Sequence, residues 1–184
     1  MSETIETMSR PGSGPVQDPQ TVTPEGVRTA PRIAGVVVRP AVTHVDERGE
    51  LCEIYNPAWG IHEAPMVYTY QSMIRPHKVK GWIVHHLQDD RVFVSLGTFR
   101  FVLYDARDDS PTKGSINEIF LSERNRAMII IPRGVYHAVQ NVGESDAYFI
   151  NLPTRPYDHG NPDKYRLPLD TDLIPFRFEE RLGG

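Results

Sequence analysis

Apolar and polar residues alternate in short runs from Ile33 onward, and each run stops at a cluster of Asp, Gly, Pro, Ser or Asn. Short alternating runs between turn-forming residues are typical of an all-β sandwich or barrel. We predict ten strands, in the segments IAGVVVRP, GELCEIY, MVYTYQSMI, KGWIVHHL, RVFVSLG, FRFVLYD, SINEIFL, AMIIIP, YHAVQN and DAYFINLP. Because AMIIIP is continuously apolar, its strand should lie in the interior of the sandwich.

The two ends of the chain lack this pattern. Residues 1–31 are rich in Pro, Gly, Ser, Thr and Glu and show no apolar periodicity, so they cannot offset the entropy lost on ordering. We therefore predict a flexible N-terminal arm over residues 1–31 and a single domain over residues 32–184. The C-terminal tail is Pro-rich and should be loop-rich, with a short strand near its end as the one candidate element.

Composition narrows the choice of partners. The 184 residues carry a formal net charge of -4, so there is no basic excess of the kind that favours nucleic-acid binding. The single cysteine cannot form an intramolecular disulfide, and no apolar run approaches about 18 residues, the length that a membrane helix needs. We expect a cytoplasmic protein with a small-molecule partner, no nucleic-acid partner and no membrane partner.

Two histidine-containing segments carry the candidate chemistry. In KGWIVHHLQDD, the period of two places Ile83 and His85 on the inward face of a strand, with Trp82 and His86 on the other face. In IIIPRGVYHAVQN, Pro and Gly form a tight turn and the next strand then directs His137 to one face.

The second segment, with Pro132, Gly134, His137 and Asn141, resembles the second motif of the cupin superfamily. The first cupin motif reads H-x-H, a carboxylate and a glycine, and here Ile83, His85, Asp90 and Gly97 stand in those places. This resemblance implies a cupin double-stranded β-helix, or jelly-roll barrel, with a binding site at its mouth.

Four motifs in order narrow the resemblance. They are DERGELCEIY, VLYDARDDSPTKGSINEIFLSERN, IIIPRGVYHAV and LDTDLIPF, and together they resemble the dTDP-4-dehydrorhamnose 3,5-epimerase family of deoxysugar biosynthesis. The match runs from about Ile33 to Phe178. It implies a nucleotide-sugar substrate, a homodimer built by strand exchange, and substrate-binding roles for Arg48, Glu53, Ser72, Lys80, His137 and Asn151.

The resemblance fails at the positions that carry the family's chemistry. Epimerisation beside a ketone needs a base, a group that stabilises the enolate, and an acid on the opposite face. The family supplies histidine, lysine and tyrosine, whereas this chain has Ile83, Asp90 and Asn151. We predict an altered mechanism in which a β-bulge lets His85 act as the base. Asp170, which matches the family's tail aspartate, would orient it.

Two alternatives stay open. His85, Asp90 and His137 resemble a facial set of two imidazoles and a carboxylate, which would bind one divalent metal ion in a metal-dependent cupin enzyme. The leading interpretation needs no cofactor. The third hypothesis is a catalytically silent cupin that binds a sugar nucleotide, because three catalytic identities of the family are exchanged.

Overall fold

The computed structural model describes residues 17–26 and 28–178. The chain divides between Pro31 and Arg32 into two units. In the first unit, Val22 and Arg28 form an isolated antiparallel bridge. The flexible arm predicted over residues 1–31 falls largely outside the described residues and stays a prediction. Over the described ranges, no helix is long and apolar enough to cross a membrane.

The second unit is built from short strands, as the alternating sequence pattern predicts. Its described part contains one 3-10 helix, Pro57–Trp59, and twelve strands. The strands are β1 Val37–Pro40, β2 Thr43–Asp46, β3 Gly49–Cys52, β4 Tyr70–Ile74, β5 Val79–Val84, β6 Asp90–Leu96, β7 Thr98–Asp105, β8 Ile116–Ser122, β9 Ala127–Ile131, β10 Val135–Asn141, β11 Ala147–Asn151 and β12 Tyr165–Arg166.

Two five-stranded antiparallel sheets form the domain, which confirms the all-β cupin fold. The first sheet has the order β1-β9-β6-β11-β4 and the second β12-β5-β10-β7-β8, while β2 and β3 form a separate hairpin. Every predicted segment overlaps an observed strand. The short strands β2 and β12 were not predicted, because they are largely polar. The strand predicted near the end of the tail is wrong, since residues 173–178 have no strand.

The main core lies between the inner faces of the two sheets. Its fully buried members include Val94, Phe99, Phe101, Leu103 and Ile129. All five residues of β9 are buried, as predicted from its continuous apolar run. The site described below therefore stands on strands that are fixed by a closely packed interior.

The tail covers the outer face of the second sheet. Trp82 points outward from the sheet, as expected, yet it is 0% exposed, because Phe176 and Phe178 lie 6.1 and 5.4 Å from its ring. Ile174 joins the same cluster. In its described part the tail is irregular apart from β12, yet it supplies one side of a second apolar core.

The motif D-x-R-x-x-S-P-T-x-G forms a structural clamp in the β7–β8 loop. The buried Asp105 carboxylate accepts hydrogen bonds from Arg107 Nε at 2.8 Å, Ser110 Oγ at 2.5 Å and Thr112 Oγ1 at 2.6 Å. Arg107 Nη2 also donates to the Ala34 carbonyl at 2.7 Å, and Thr112 Oγ1 accepts from the Ala34 amide at 2.9 Å. The clamp therefore holds the segment that leads into β1.

Strand β5 contains a β-bulge opposite β10, while the shift of the base from position 83 to His85 stays a prediction. Opposite β10, Ile83 pairs with His137 but Lys80 pairs with Val139, so β5 has one extra residue between these pairs. Gly81 lies in this bulge, and a Cβ there would come within 2.3 Å of Ala138 Cβ. Only glycine allows the two strands to approach so closely at this point.

Candidate functional site

Three of the predicted residues converge near one end of the two sheets. His85 follows β5, Asp90 begins β6 and His137 lies on β10. Asp90 Oδ2 lies 3.4 Å from His85 Nε2 and 3.6 Å from His137 Nε2. All three are buried or nearly so, and their ligand atoms lie within 4.8 Å of one another. This donor set fits a divalent metal ion, and equally a metal-free acid–base site.

Backbone carbonyls fix the orientation of both imidazole rings. His85 Nδ1 contacts the Asp163 carbonyl, and His137 Nδ1 lies 3.3 Å from the Val135 carbonyl. Because a carbonyl only accepts, each Nδ1 is the protonated nitrogen. Each Nε2 therefore presents its lone pair toward the Asp90 side of the site when the ring is neutral.

Burial and charge set the three protonation states. Burial alone would raise the pKa of Asp90, but hydrogen bonding from His85 and the neighbouring imidazoles lower it to about 2. Burial lowers the pKa of His137 to about 4. Burial also opposes the charged form of His85, yet the Asp90 carboxylate outweighs it and raises the pKa of His85. Near neutral pH, Asp90 is ionised and His137 is neutral, and the neutral form of His85 can accept a proton beside an anion.

Asp163 organises the loop between β5 and β6. Its carboxylate accepts the backbone N–H groups of His86, Leu87 and Gln88 at 2.9, 2.7 and 3.1 Å. Burial opposes ionisation, but these bonds lower the pKa of Asp163. Gln88 Nε2 in turn donates to Asp90 Oδ1 at 3.0 Å. Asp163, a tail residue, therefore acts in two ways. Its backbone carbonyl holds the His85 ring, and its carboxylate holds the loop that carries Gln88 to Asp90.

The structure does not support the orienting role expected for Asp170. Asp170 is exposed, and in the part of the chain that is described it makes no hydrogen bond or ion pair with His85. The tail does contribute an aspartate, but that residue is Asp163, which a backbone pairing brings beside β5: Tyr165 of β12 pairs with Val84. Sequence spacing could not reveal this, because β12 is only two residues long.

Three of the predicted substrate-binding residues lie on the strands that form the site. Lys80 Nζ on β5 of the second sheet donates to Ser72 Oγ on β4, the edge strand of the first sheet, at 2.8 Å. Asn151 on β11 is buried, and its amide nitrogen contributes to the low pKa of Asp90. His137, described above, is the fourth.

Arg48 and Glu53 do not join these residues within the described chain. Arg48 lies at the tip of the β2–β3 hairpin, where Nη2 pairs with Asp46 Oδ2 at 2.5 Å and the side chain is 82% exposed. Glu53 is exposed directly after β3. Since the hairpin forms its own two-stranded sheet, it does not carry these side chains into the barrel of the same chain.

Besides Asp163, the sequence analysis missed two residues of the site. Tyr70 on β4 pairs with Asn151 on β11, and its hydroxyl accepts a hydrogen bond from Asn151 Nδ2 at 2.9 Å. The alternation of β4 could have revealed it, because Tyr70 and Ser72 share a face.

Lys164 is the second missed residue. It directly precedes β12, where the Tyr165 ring lies 4.7 Å from the ring of His86 on the outer side. Alternation then directs Lys164 toward the site. Its charge contributes to the low pKa of His137, while partial burial and Arg166 lower the pKa of Lys164 itself. A lysine in an irregular tail gave no usable sequence signal.

Comparison with known proteins places this geometry in context. The chain is 34% identical over 155 residues to the probable low-salt glycan biosynthesis epimerase Agl13 of Haloferax volcanii, covering 84% of this chain and 99% of the relative. It is 33% identical over 146 residues to the spore coat polysaccharide biosynthesis protein SpsL of Bacillus subtilis, covering 79% and 96%.

Solved structures and the family's sequence model agree with these relatives. The crystal structure of a dTDP sugar isomerase from Desulfovibrio desulfuricans G20 superposes with a TM-score of 0.74 at 26% identity, over 79% of this chain and 92% of that chain. The sequence model named dTDP-4-dehydrorhamnose 3,5-epimerase matches residues 30–173. The chain therefore belongs to the dTDP-4-dehydrorhamnose 3,5-epimerase family of sugar-nucleotide epimerases.

Proposed function

We propose that this protein is an isomerase that epimerises a nucleotide-activated 4-keto-6-deoxysugar at carbon beside the ketone, with His85 as the base. The observation that carries the proposal is the buried pair of His85 and Asp90, 3.4 Å apart, at the position where the family's first motif lies. Family membership supplies the substrate class. The names of the relatives favour a place in glycan or polysaccharide biosynthesis.

The base works through one nitrogen. With the Nδ1 proton donated to the Asp163 carbonyl, only Nε2 of His85 can accept the acidic C–H proton. The imidazolium that forms then has an acceptor at each nitrogen: the Asp163 carbonyl at Nδ1 and the Asp90 carboxylate near Nε2. Both acceptors stabilise the charged ring, which strengthens His85 as a base.

The proposed mechanism uses different catalytic side chains from those of the family. Ile83 cannot accept a proton, and Asp90 serves as partner of the base where the family has a lysine. Lys164, which approaches the same site from the tail, supplies the positive charge that a developing enolate needs. The loss of the lysine at the Asp90 position is thereby offset by a lysine from another element.

A deuterium experiment tests the proposal. The protein is incubated in D2O with a dTDP-4-keto-6-deoxyhexose, and NMR measures deuterium at the carbons beside the ketone. We expect incorporation by the wild type and its loss in His85→Asn. His86→Asn is the matched control, because the adjacent ring faces outward against Tyr165. Absence of deuterium in the wild-type reaction would refute the proposal.

We also propose a cytoplasmic homodimer. Support comes from the β2–β3 hairpin, which forms its own sheet and leaves Val45 and Leu51 75% and 63% exposed. Apolar side chains on an unsupported hairpin favour packing against a second copy of the chain. Light scattering checks this: a dimer is expected, and Val45→Glu with Leu51→Glu should yield a monomer. A monomeric wild type would contradict it.

A metal-dependent reaction is the second candidate, and one observation favours it. Both imidazoles direct Nε2 toward Asp90 while backbone carbonyls hold Nδ1, which is the usual support of metal-binding histidines. His85, Asp90 and His137 would hold one divalent ion, which would polarise a substrate oxygen. Elemental analysis of protein purified without chelators decides it. Stoichiometric metal that is lost in His137→Ala supports this candidate, and metal-free active protein removes it.

A further inference from the structure

The phenol of Tyr70 on β4 lies beside Asn151 on β11. Tyr70 is the cross-strand partner of Asn151, the residue at the position where the family has its tyrosine. The Asn151 amide donates to the Tyr70 hydroxyl at 2.9 Å. A side chain on β4 therefore delivers a phenol next to the position from which β11 has lost one.

The Tyr70 hydroxyl acts as a hydrogen-bond acceptor, so its own proton remains available for donation. The hydroxyl oxygen accepts from Asn151 Nδ2, and no acceptor for the phenolic proton is found in residues 17–26 and 28–178. The same amide lies near the Asp90 carboxylate and contributes to its low pKa. Asn151 thus orients the phenol by donating a hydrogen bond and does not accept the phenolic proton.

Burial keeps the phenol protonated across the working range of pH. Burial raises the pKa of Tyr70 to about 12, and the negative charge of Asp90 adds to the shift. Tyr70 is nevertheless 39% exposed, so a substrate entering the site can reach it. Near neutral pH the hydroxyl therefore keeps its proton while Asp90 is ionised.

Tyr70 and the strand that leads to His85 belong to the two facing sheets. Tyr70 lies on β4, at the edge of the first sheet, and His85 follows β5 in the second sheet. The bond from Lys80 on β5 to Ser72 on β4 shows that these strands face each other. Since Tyr70 and Ser72 share a face of β4, both point toward the second sheet.

From this placement we propose that Tyr70 is the general acid of the reaction, donating its proton to the sugar carbon on the face opposite His85. The inference rests on the proposed epimerase function. His85 Nε2 removes the proton from carbon, and the C–H electrons pass into the enolate. The enolate then forms a new C–H bond with the phenolic proton, leaving a phenolate. Water returns a proton to the phenolate and takes one from the imidazolium, so the net change is inversion alone.

The closing experiment separates proton removal from inversion. In D2O, Tyr70→Phe should retain deuterium exchange at the carbon beside the ketone, because His85 is intact, while formation of the inverted sugar falls at least about 100-fold. Deuterium with retained configuration is a signature that a merely structural role would not produce. Tyr68→Phe is the matched control, since its ring lies 5.7 Å from that of Tyr70. Both variants should melt as the wild type does.

The outcomes are distinguishable. Inversion by Tyr70→Phe at the wild-type rate overturns the role of Tyr70 and leaves the proposed function standing. Equal loss of exchange and inversion in a folded variant also overturns it, because Tyr70 would then be needed for proton removal. A wild type that shows neither exchange nor inversion removes the proposed function and this role together.

Discussion

The clamp around Asp105 allows a sharp test of how this fold is held together. Asp105→Asn keeps the size of the side chain but replaces one acceptor oxygen with a donor. Both carboxylate oxygens are engaged: Oδ1 by the amide and Nε of Arg107, and Oδ2 by Nη2 of Arg107 and the hydroxyls of Ser110 and Thr112. Whichever oxygen becomes NH2 must therefore face a guanidinium N–H.

The expected loss follows from burial. Asp105 is 0% exposed, whereas the Arg107 side chain is 24% exposed and can rehydrate in part. Removing one partner of a buried pair costs about 3–5 kcal/mol. We expect a loss near the lower end, about 3 kcal/mol, because water can reach Arg107 and the two hydroxyls can rotate.

Urea denaturation measures this loss of stability, and the pKa of Asp105 predicts how the loss depends on pH. The hydrogen bonds of Arg107 and of the hydroxyls outweigh burial and lower the pKa of Asp105 below 3.8. Stability from a depressed carboxyl pKa is present above the unfolded value and disappears as the pH falls through the folded value. The wild type and Asp105→Asn should therefore differ equally at pH 7 and pH 5 and converge only in strong acid.

Asp108→Asn is the matched control in the same loop. Asp108 is 95% exposed and pairs with Lys113 Nζ at 2.6 Å, so its loss should be far smaller. If Asp105→Asn and Asp108→Asn unfold at the same urea concentration, the clamp does not stabilise the fold as described.

Three further predictions concern the strands of the site. Gly81→Ala places Cβ 2.3 Å from Ala138 Cβ and should cost about 1–3 kcal/mol in thermal unfolding, with partial rescue by Ala138→Gly; an unchanged melting temperature would contradict the close approach. Trp82→Ala should cost about 3–5 kcal/mol in urea, and increased proteolysis of the tail should accompany it; a loss below about 1 kcal/mol would mean that the tail does not pack there. Asp90→Asn removes the charge that raises the pKa of His85, so the acidic limb of the pH–rate profile should move to lower pH. If the limb does not move, Asp90 does not control the protonation of the catalytic base.

Much of the fold follows from the sequence because its signals are local. The period of two identifies ten strands and assigns Ile83 and His85 to one face, and the continuous apolar run predicts that β9 is buried. The motifs also lead to His85, Asp90 and His137, which the structure brings together. Each of these inferences needs only neighbours within a strand or a turn.

The remainder of the site depends on pairings between distant parts of the chain. Asp163 and Lys164 reach the site because the two-residue strand β12 pairs with β5, and Tyr70 reaches it because β4 pairs with β11. Nothing in local alternation specifies that β12 pairs with β5, so the sequence pointed to Asp170 in place of Asp163. Tyr70 was overlooked although it shares a face of β4 with Ser72, because alternation alone does not show that β4 pairs with β11.

The sequence by itself determined ten of the twelve described strands, their inward faces and the family, whereas the tertiary structure decided which side chains from distant strands meet. The physical reason is that side-chain direction within a strand is set by backbone geometry over a few residues. Register and sheet closure are instead set by packing across the whole barrel, as the bulge at Gly81 and the covering of Trp82 by Phe176 illustrate.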